Sequence, residues 1–154
     1  MPDVLLPLAL AYVDGNDEIE GATRFQKLAF LSQEETNIDQ LHKFQADKYG
    51  PFSPSLAAAI DSLENKGLIK KRVEKTRSGK QKYNYRITDA GRRVIKSLQQ
   101  DDDKKEKVED ILSATQEIKR KNKDMPLDRL LRYVYKKYPS YTTKSELDIA
   151  DEVR

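Results

Sequence analysis

Apolar residues recur at helical spacing over most of this chain and alternate at a period of two in one short region. Residues 3–13 predict a first helix, with Val4, Leu5, Leu8, Ala9 and Tyr12 on one face, Asp3 as its cap and Pro7 within a turn of its start. A turn-rich acidic stretch (DGNDEIEG) follows. Residues 23–35 predict a second helix, with Phe25, Leu28, Ala29 and Ser32 on a face that Phe30 and Leu31 widen. Residues 42–49 read as extended, since Phe44 and Ala46 alternate with polar neighbours, and Gly50-Pro51 breaks the chain. Ser53 or Ser55 can cap a third helix that presents Leu56, Ala59, Ile60 and Leu63 and stops at Gly67, a residue that accepts the left-handed conformation.

Residues 68–75 and 81–88 alternate as strands. Ile69 and Val73 share a face of the first; Tyr83, Tyr85 and Ile87 share a face of the second; Thr76 to Lys80 forms the tip between them. Thr88 or Asp89 then caps a helix containing Ala90, Val94, Ile95 and Leu98. A charged stretch at 99–107 is a natural boundary. Beyond it, 108–120 carries the narrow stripe Val108, Ile111, Leu112, Thr115 and Ile118. Residues 126–138 form another amphipathic segment, through Leu127, Leu130, Leu131, Val134 and Tyr138, stopped by Pro139. Thr143 and Glu146 have capping-box spacing for a short last helix.

Helix, glycine, strand, basic loop, strand and helix, in that order, is how a winged helix-turn-helix is written. The expected fold is α+β: a winged-helix domain over residues 1–98 and a helical extension over 99–154. The stripe on the extension would serve either as a homodimer helix or as packing for its own domain.

Charge sharpens this reading. The net charge of +3 hides a strong asymmetry: residues 1–40 carry −6, residues 41–98 carry +9, and residues 99–154 carry thirteen charges of each sign. From Lys66 to Lys96 there are twelve Lys or Arg against only Glu74 and Asp89, a local charge of +10 that suits a polyanion better than a small neutral substrate. With no cysteine there is no disulfide, thiolate nucleophile or Cys-based zinc site. The apolar run at 4–13 lacks a basic lead and is too short to span a bilayer, so a soluble, cytoplasmic protein is expected.

Candidate chemistry follows the charge. In the hairpin, Lys75, Arg77, Ser78, Lys80, Lys82 and Arg86 are candidate contacts to duplex DNA, with RNA not distinguished from it. The alternative is a solvated hairpin whose charges prevent edge pairing. Ser53 and Ser55 could meet a phosphate at the third helix's N-terminus or simply cap it. Lys48 and Tyr49 flank the Gly50-Pro51 turn and could also reach a phosphate. The third helix has no arginine and one asparagine, so little of the residue chemistry that reads base edges is present. His42, the single histidine, has no metal-ligand spacing around it. No catalytic constellation stands out, and nothing calls for a cofactor or metal. The rival to DNA binding is a module gripping a protein partner with its acidic N-terminal third or with Tyr133, Tyr135, Tyr138 and Tyr141.

Several segments carry a family resemblance: 24–31 (RFQKLAFL), Phe44, 49–53 (YGPFS), 67–69 (GLI), 86–91 (RITDAG), 130–135 (LLRYVY), 138–142 (YPSYT) and 144–146 (KSE). In this order they resemble YwgA-like proteins, a winged-helix group distantly similar to the Panacea antitoxin domain. The resemblance implies the winged-helix fold and, through Panacea, a protein partner such as a toxin. Phe52 stands where that motif carries Tyr, so a role needing a hydroxyl there is not implied.

Overall fold

The computed structural model describes residues 3–15 and 18–146. Helix α1 (Leu5–Tyr12) starts under Asp3, whose Oδ1 accepts from the N–H of Leu5 at 2.8 Å and of Leu6 at 3.2 Å. Pro7 lies in the first turn, where its missing N–H leaves no helical bond unmade. Strand β1 (Ile19–Glu20) leads into α2 (Ala22–Glu34), and the hairpin of β2 (Gln45–Asp47) and β3 (Gly50–Phe52) precedes α3 (Pro54–Asn65). Strands β4 (Ile69–Lys75) and β5 (Gln81–Ile87) form the wing, followed by α4 (Asp89–Gln99), α5 (Lys105–Asn122), α6 (Leu127–Lys137) and a 3₁₀ turn (Pro139–Thr142).

The three-stranded antiparallel sheet has the order β1-β5-β4. Ile69 faces Ile87 and Lys75 faces Gln81, so the wing register runs unbroken to the tip. Ile19 pairs with Tyr85 and Glu20 with Asn84, which makes a strand of part of the acidic stretch expected to be a connection. Helix, strand, helix, helix and wing in this order is the winged helix, here with one departure. Nineteen residues, Glu35 to Ser53, separate α2 from α3 where a helix-turn-helix ordinarily has a three- or four-residue turn. The expected extended stretch at 42–49 is the first arm of the hairpin this insertion builds, and Lys48 and Tyr49 form its turn.

Helix α2 is buried on all sides from Arg24 to Gln33. Three of its polar side chains, Gln26, Lys27 and Gln33, are satisfied by the inserted segment's backbone, while Arg24 donates to Asn122 O and Ser32 to Leu28 O, as buried polar groups must find partners. Gln26 Nε2 donates to Ser53 O at 3.1 Å and its Oε1 accepts from Ser53 N at 2.9 Å. Two turns on, Gln33 makes the same pair of bonds with His42, both at 2.9 Å. Lys27 Nζ donates to Pro51 O at 2.9 Å.

The stripe on α5 is not a free dimer face. Val108, Ile111, Leu112, Thr115 and Ile118 are all buried within the chain, where α5 packs on α1, α2 and α4. The proposed dimer through these five residues is therefore corrected to packing on their own core. A narrow stripe reports that a partner exists, not whose it is. Lys119, on the same side, donates to the carbonyls of Leu10 at 2.7 Å and Val13 at 2.8 Å, closing the open end of α1. Lys123 pairs with Asp14 at 2.9 Å just beyond.

The C-terminal aromatics also pack on their own chain, Tyr135 fully and Tyr133, Tyr138 and Tyr141 in part. Tyr138 and Tyr141 each stack edge-on against Phe30, with ring centroids 5.0 Å apart. Tyr135 is fully buried, and a Cβ on Gly50 would come within 2.6 Å of its ring. Tyr133 and Tyr138 donate to Glu35 Oε2 at 2.5 and 3.2 Å, beside Lys137 at 2.6 Å. Burial works to raise the Glu35 pKa, but the hydrogen bonds from Lys137 and Tyr133 outweigh it and leave the group below its ordinary value. Tyr135 is wholly spent on packing, whereas Tyr133, Tyr138 and Tyr141 pack with one side and stay partly exposed on the other. The capping box expected at Thr143 and Glu146 does not form, because Glu146 N donates instead to Lys48 O at 3.0 Å and residues 143–146 are turn and loop. The rest of the expected last helix lies outside the described residues.

Candidate nucleic-acid interface

The wing tip is shaped by its own backbone. Thr76 N donates to Lys80 O and Gly79 N to Thr76 O, both at 2.9 Å, and Gly79 takes a φ of +82° that favours glycine. The Thr76 and Ser78 hydroxyls meet at 3.0 Å. Lys75, Arg77, Ser78 and Lys80 are all exposed on this turn. The side chains of Lys75, Arg77 and Lys80 make no hydrogen bond or ion pair among the described residues.

The strand face below the tip is different. Glu18 and Glu20, brought in with β1, lie against the basic residues of β4 and β5. Arg72 donates to Glu18 from both Nε (3.0 Å) and Nη2 (2.8 Å), and Lys82 sits 3.8 Å from Glu20. The Arg72 hydrogen bonds hold the Glu18 carboxyl below its ordinary pKa. Glu74 accepts from Asn84 at 2.9 Å and lies 3.4 Å from Arg72. Lys82 is thus partly neutralised; Arg86 is exposed and makes no ion pair among the described residues, although its charge also helps to lower the Glu18 pKa. Two acids near the hairpin in sequence become four in space, because β1 supplies Glu18 and Glu20.

The two serines turn inward. Ser53 is fully buried; its Oγ caps α3, accepting from Leu56 N at 3.1 Å. Ser55 Oγ lies 2.7 Å from His42 Nδ1 and 3.1 Å from Ser53 Oγ. His42 Nε2 lies 2.7 Å from Asp3 O, a carbonyl that can only accept, so Nε2 carries the proton and Nδ1 accepts from the Ser55 hydroxyl. Ser53 thus takes the capping role from a buried position, while the partly exposed Ser55 hydroxyl is held in this relay by His42. The outer face of α3 carries Pro54, Ala58, Asp61 and Asn65, a surface with no arginine.

The relay sets a pH dependence. Burial pushes the His42 ring below its ordinary pKa and keeps it neutral. The unfolded chain takes up that proton near pH 6.5, the folded chain only at lower pH. Between those values the unfolded state binds more protons, so stability declines as pH falls below about 6.5 and levels off once the folded ring also protonates. Urea unfolding at pH 7.5 and 5.5 is expected to show that loss in the wild type and a smaller one in His42→Gln. Equal losses would place the titrating group elsewhere. The Glu18 and Glu35 carboxylates, whose pKa values are lowered, lose their contribution only under more acidic conditions.

Lys48 and Tyr49 are exposed at the hairpin turn, on the rim of a pocket of about 290 Å³ that α3 and β5 also line. Among the described residues no cluster of His, Asp and Glu could hold a metal ion, and no helix is long and apolar enough to cross a membrane.

This arrangement has a counterpart among known families. The model of the Transcriptional regulator PadR-like family matches residues 28–97, a little under half of the chain, from the middle of α2 to the end of α4. That stretch contains α3 and the complete wing. Fold and match together define the class: a winged-helix, DNA-binding regulator of transcription. No curated protein matches the chain significantly.

Proposed function

We propose that this regulator grips duplex DNA chiefly with the tip of its wing. Lys75, Arg77 and Lys80 neutralise phosphates, and the Ser78 hydroxyl and tip backbone add hydrogen bonds. Lys48, Tyr49, Lys82 and Arg86 are secondary contacts on either side of α3. The observation that carries this reading is the contrast between the unpaired tip cations and the acid-paired strand cations. Arg77 and Lys80 are already free to meet phosphate, whereas Arg72 must first leave Glu18. With no arginine, α3 would add shape and a few polar contacts in the major groove, so phosphate contacts would dominate affinity.

Fluorescence anisotropy with random-sequence duplex tests this. With roughly four to six phosphate contacts, log K falls with log salt at about −0.9 per contact, a loss of about 10² to 10³ in affinity between 50 and 200 mM. No binding at micromolar protein in low salt would sink the proposal. Glu18→Gln supplies a further check. Freeing Arg72 should raise affinity several-fold, on the order of one added phosphate contact. An unchanged affinity would place Arg72 away from the DNA.

A second reading is favoured by one feature, the exposed Asp61 and Asn65 on an arginine-free α3. Such a helix suits a protein partner better than a base edge, as the distant similarity to the Panacea antitoxin domain implies. A partner held by α3 would survive charge reversal at the wing tip, and DNA would not.

A further inference from the structure

The QK pair on α2, which DNA contact leaves unused, meets the Pro51-Phe52-Ser53 end of the YGPFS turn in the fold. Gln26 spends both ends of its amide on Ser53. Lys27 is 2% exposed, and among the described residues its Nζ makes one hydrogen bond, to Pro51 O. That leaves part of its hydrogen-bonding capacity unused in the wall of the pocket of about 290 Å³ between α2, the inserted hairpin and α3. Phe52, Ala57, Ile60 and Tyr85 give this pocket an apolar lining. Asp47, Asp61 and Lys48 also border it.

We propose that this pocket captures small uncharged carbonyl compounds, aldehydes with a short apolar body, as a reversible imine on Lys27 Nζ. The amine lone pair attacks the carbonyl carbon to give a carbinolamine. Nitrogen then expels the oxygen as water, so one C=N bond replaces one C=O bond and no oxidant or reductant is needed. Water takes the proton from nitrogen and returns one to the departing hydroxyl; Asp47, which also borders the pocket, acts on Lys27 through its charge.

Three observations select this chemistry. Burial lowers the Lys27 pKa to about 7, only partly opposed by the charge of Asp47, so a large share of the amine is unprotonated near neutrality. An ordinary surface lysine has roughly one amine in a few thousand in that form at pH 7. Desolvated lysines of this kind are the ones that act as imine-forming nucleophiles. With Lys27 uncharged, Asp47 and Asp61 against Lys48 give the lining a net negative charge, which disfavours an anion. The volume is at the lower limit for ligand pockets, which sets the size of the guest. Because Ala57, Ile60 and Asp61 belong to α3, an adduct would lie directly against that helix.

The test uses the full-length wild-type protein at pH 7 with limiting benzaldehyde or butanal, trapped with cyanoborohydride and mapped by mass spectrometry. The expected result is reductive alkylation at Lys27 at least tenfold above any other lysine. Modification spread over surface lysines with Lys27 untouched would overturn the proposal. Glyoxylate, an anionic aldehyde, is the selectivity probe: it should label Lys27 less than benzaldehyde does. Equal or greater labelling would overturn the preference for an uncharged guest. Neither arm depends on DNA binding, so the outcome is independent of the function proposed above.

Discussion

Arg77→Glu/Lys80→Glu is expected to lower affinity for duplex DNA by about two orders of magnitude near 0.1 M salt and to flatten the salt dependence by about two counterions. Each phosphate contact contributes roughly 0.9 log units per decade of salt, so losing two accounts for most of that change; the reversed charges add repulsion. The effect should be confined to binding. Both side chains are exposed at a turn closed by the Thr76, Gly79 and Lys80 backbone, so the fold does not depend on them. Surface substitutions of this sort usually stay within about 0.5 kcal/mol in stability. The measurement is anisotropy at several salt concentrations, with a thermal melt as control. Unchanged affinity and slope with a normal melt would move the interface off the wing tip, and the arginine-free α3 would then have to be tested as a surface for protein.

What could be read along the chain were the features written locally. The α3 cap, which falls to Ser53 of the Ser53/Ser55 pair, the Gly67 stop, the two wing strands with their tip, and the α4 cap, which falls to Thr88 of Thr88/Asp89, each depend on a few neighbouring residues. The features that went unread depend on distant partners. Strand β1 is two residues inside an acidic stretch, and only its pairing with Tyr85 and Asn84 makes it a strand. The charge of the wing face was therefore overcounted, because Glu18 reaches Arg72 across fifty-four positions. Gln26, Lys27 and Gln33 look like the solvent face of an amphipathic helix. They are buried because the insertion between α2 and α3 folds over them and presents carbonyls and N–H groups for them to bond. That same fold-over builds the pocket at Lys27, so the site with the most distinctive chemistry is invisible to periodicity. The helical stripe on α5 was legible as a stripe; its partner was not, since α1, α2 and α4 lie far away in sequence.

Gly91→Ala is expected to destabilise the protein by about 2 kcal/mol or more, although replacing glycine by alanine within a helix ordinarily stabilises by up to about 1 kcal/mol. Gly91 sits in the first turn of α4, where that helix crosses the start of the wing. A Cβ there would lie 2.3 Å from the Leu68 carbonyl oxygen and 2.7 Å from Ile87 Cγ1. The carbonyl cannot swing aside without loss, since it accepts from Thr88 N at 3.1 Å. Thr88 is itself tied twice, donating through its hydroxyl to Gly67 O at 2.7 Å and accepting from Gly91 N at 3.0 Å. The RITDAG segment is thus one junction: Ile87 fills the core, Thr88 caps α4 and joins it to the end of α3, and Gly91 allows the helix to approach the strand. For a chain of this length about 2 kcal/mol corresponds to a melting shift of roughly 4–8 °C. Lys96→Ala, exposed on the same helix, should leave the melt nearly unchanged. A higher melting temperature for Gly91→Ala would mean helix propensity wins and that α4 does not approach Leu68 this closely. If the junction is as described, the variant carries a second signature. Leu68 leads directly into β4, so displacing its carbonyl tilts the wing relative to α3, and DNA affinity should fall even at temperatures where the variant remains folded.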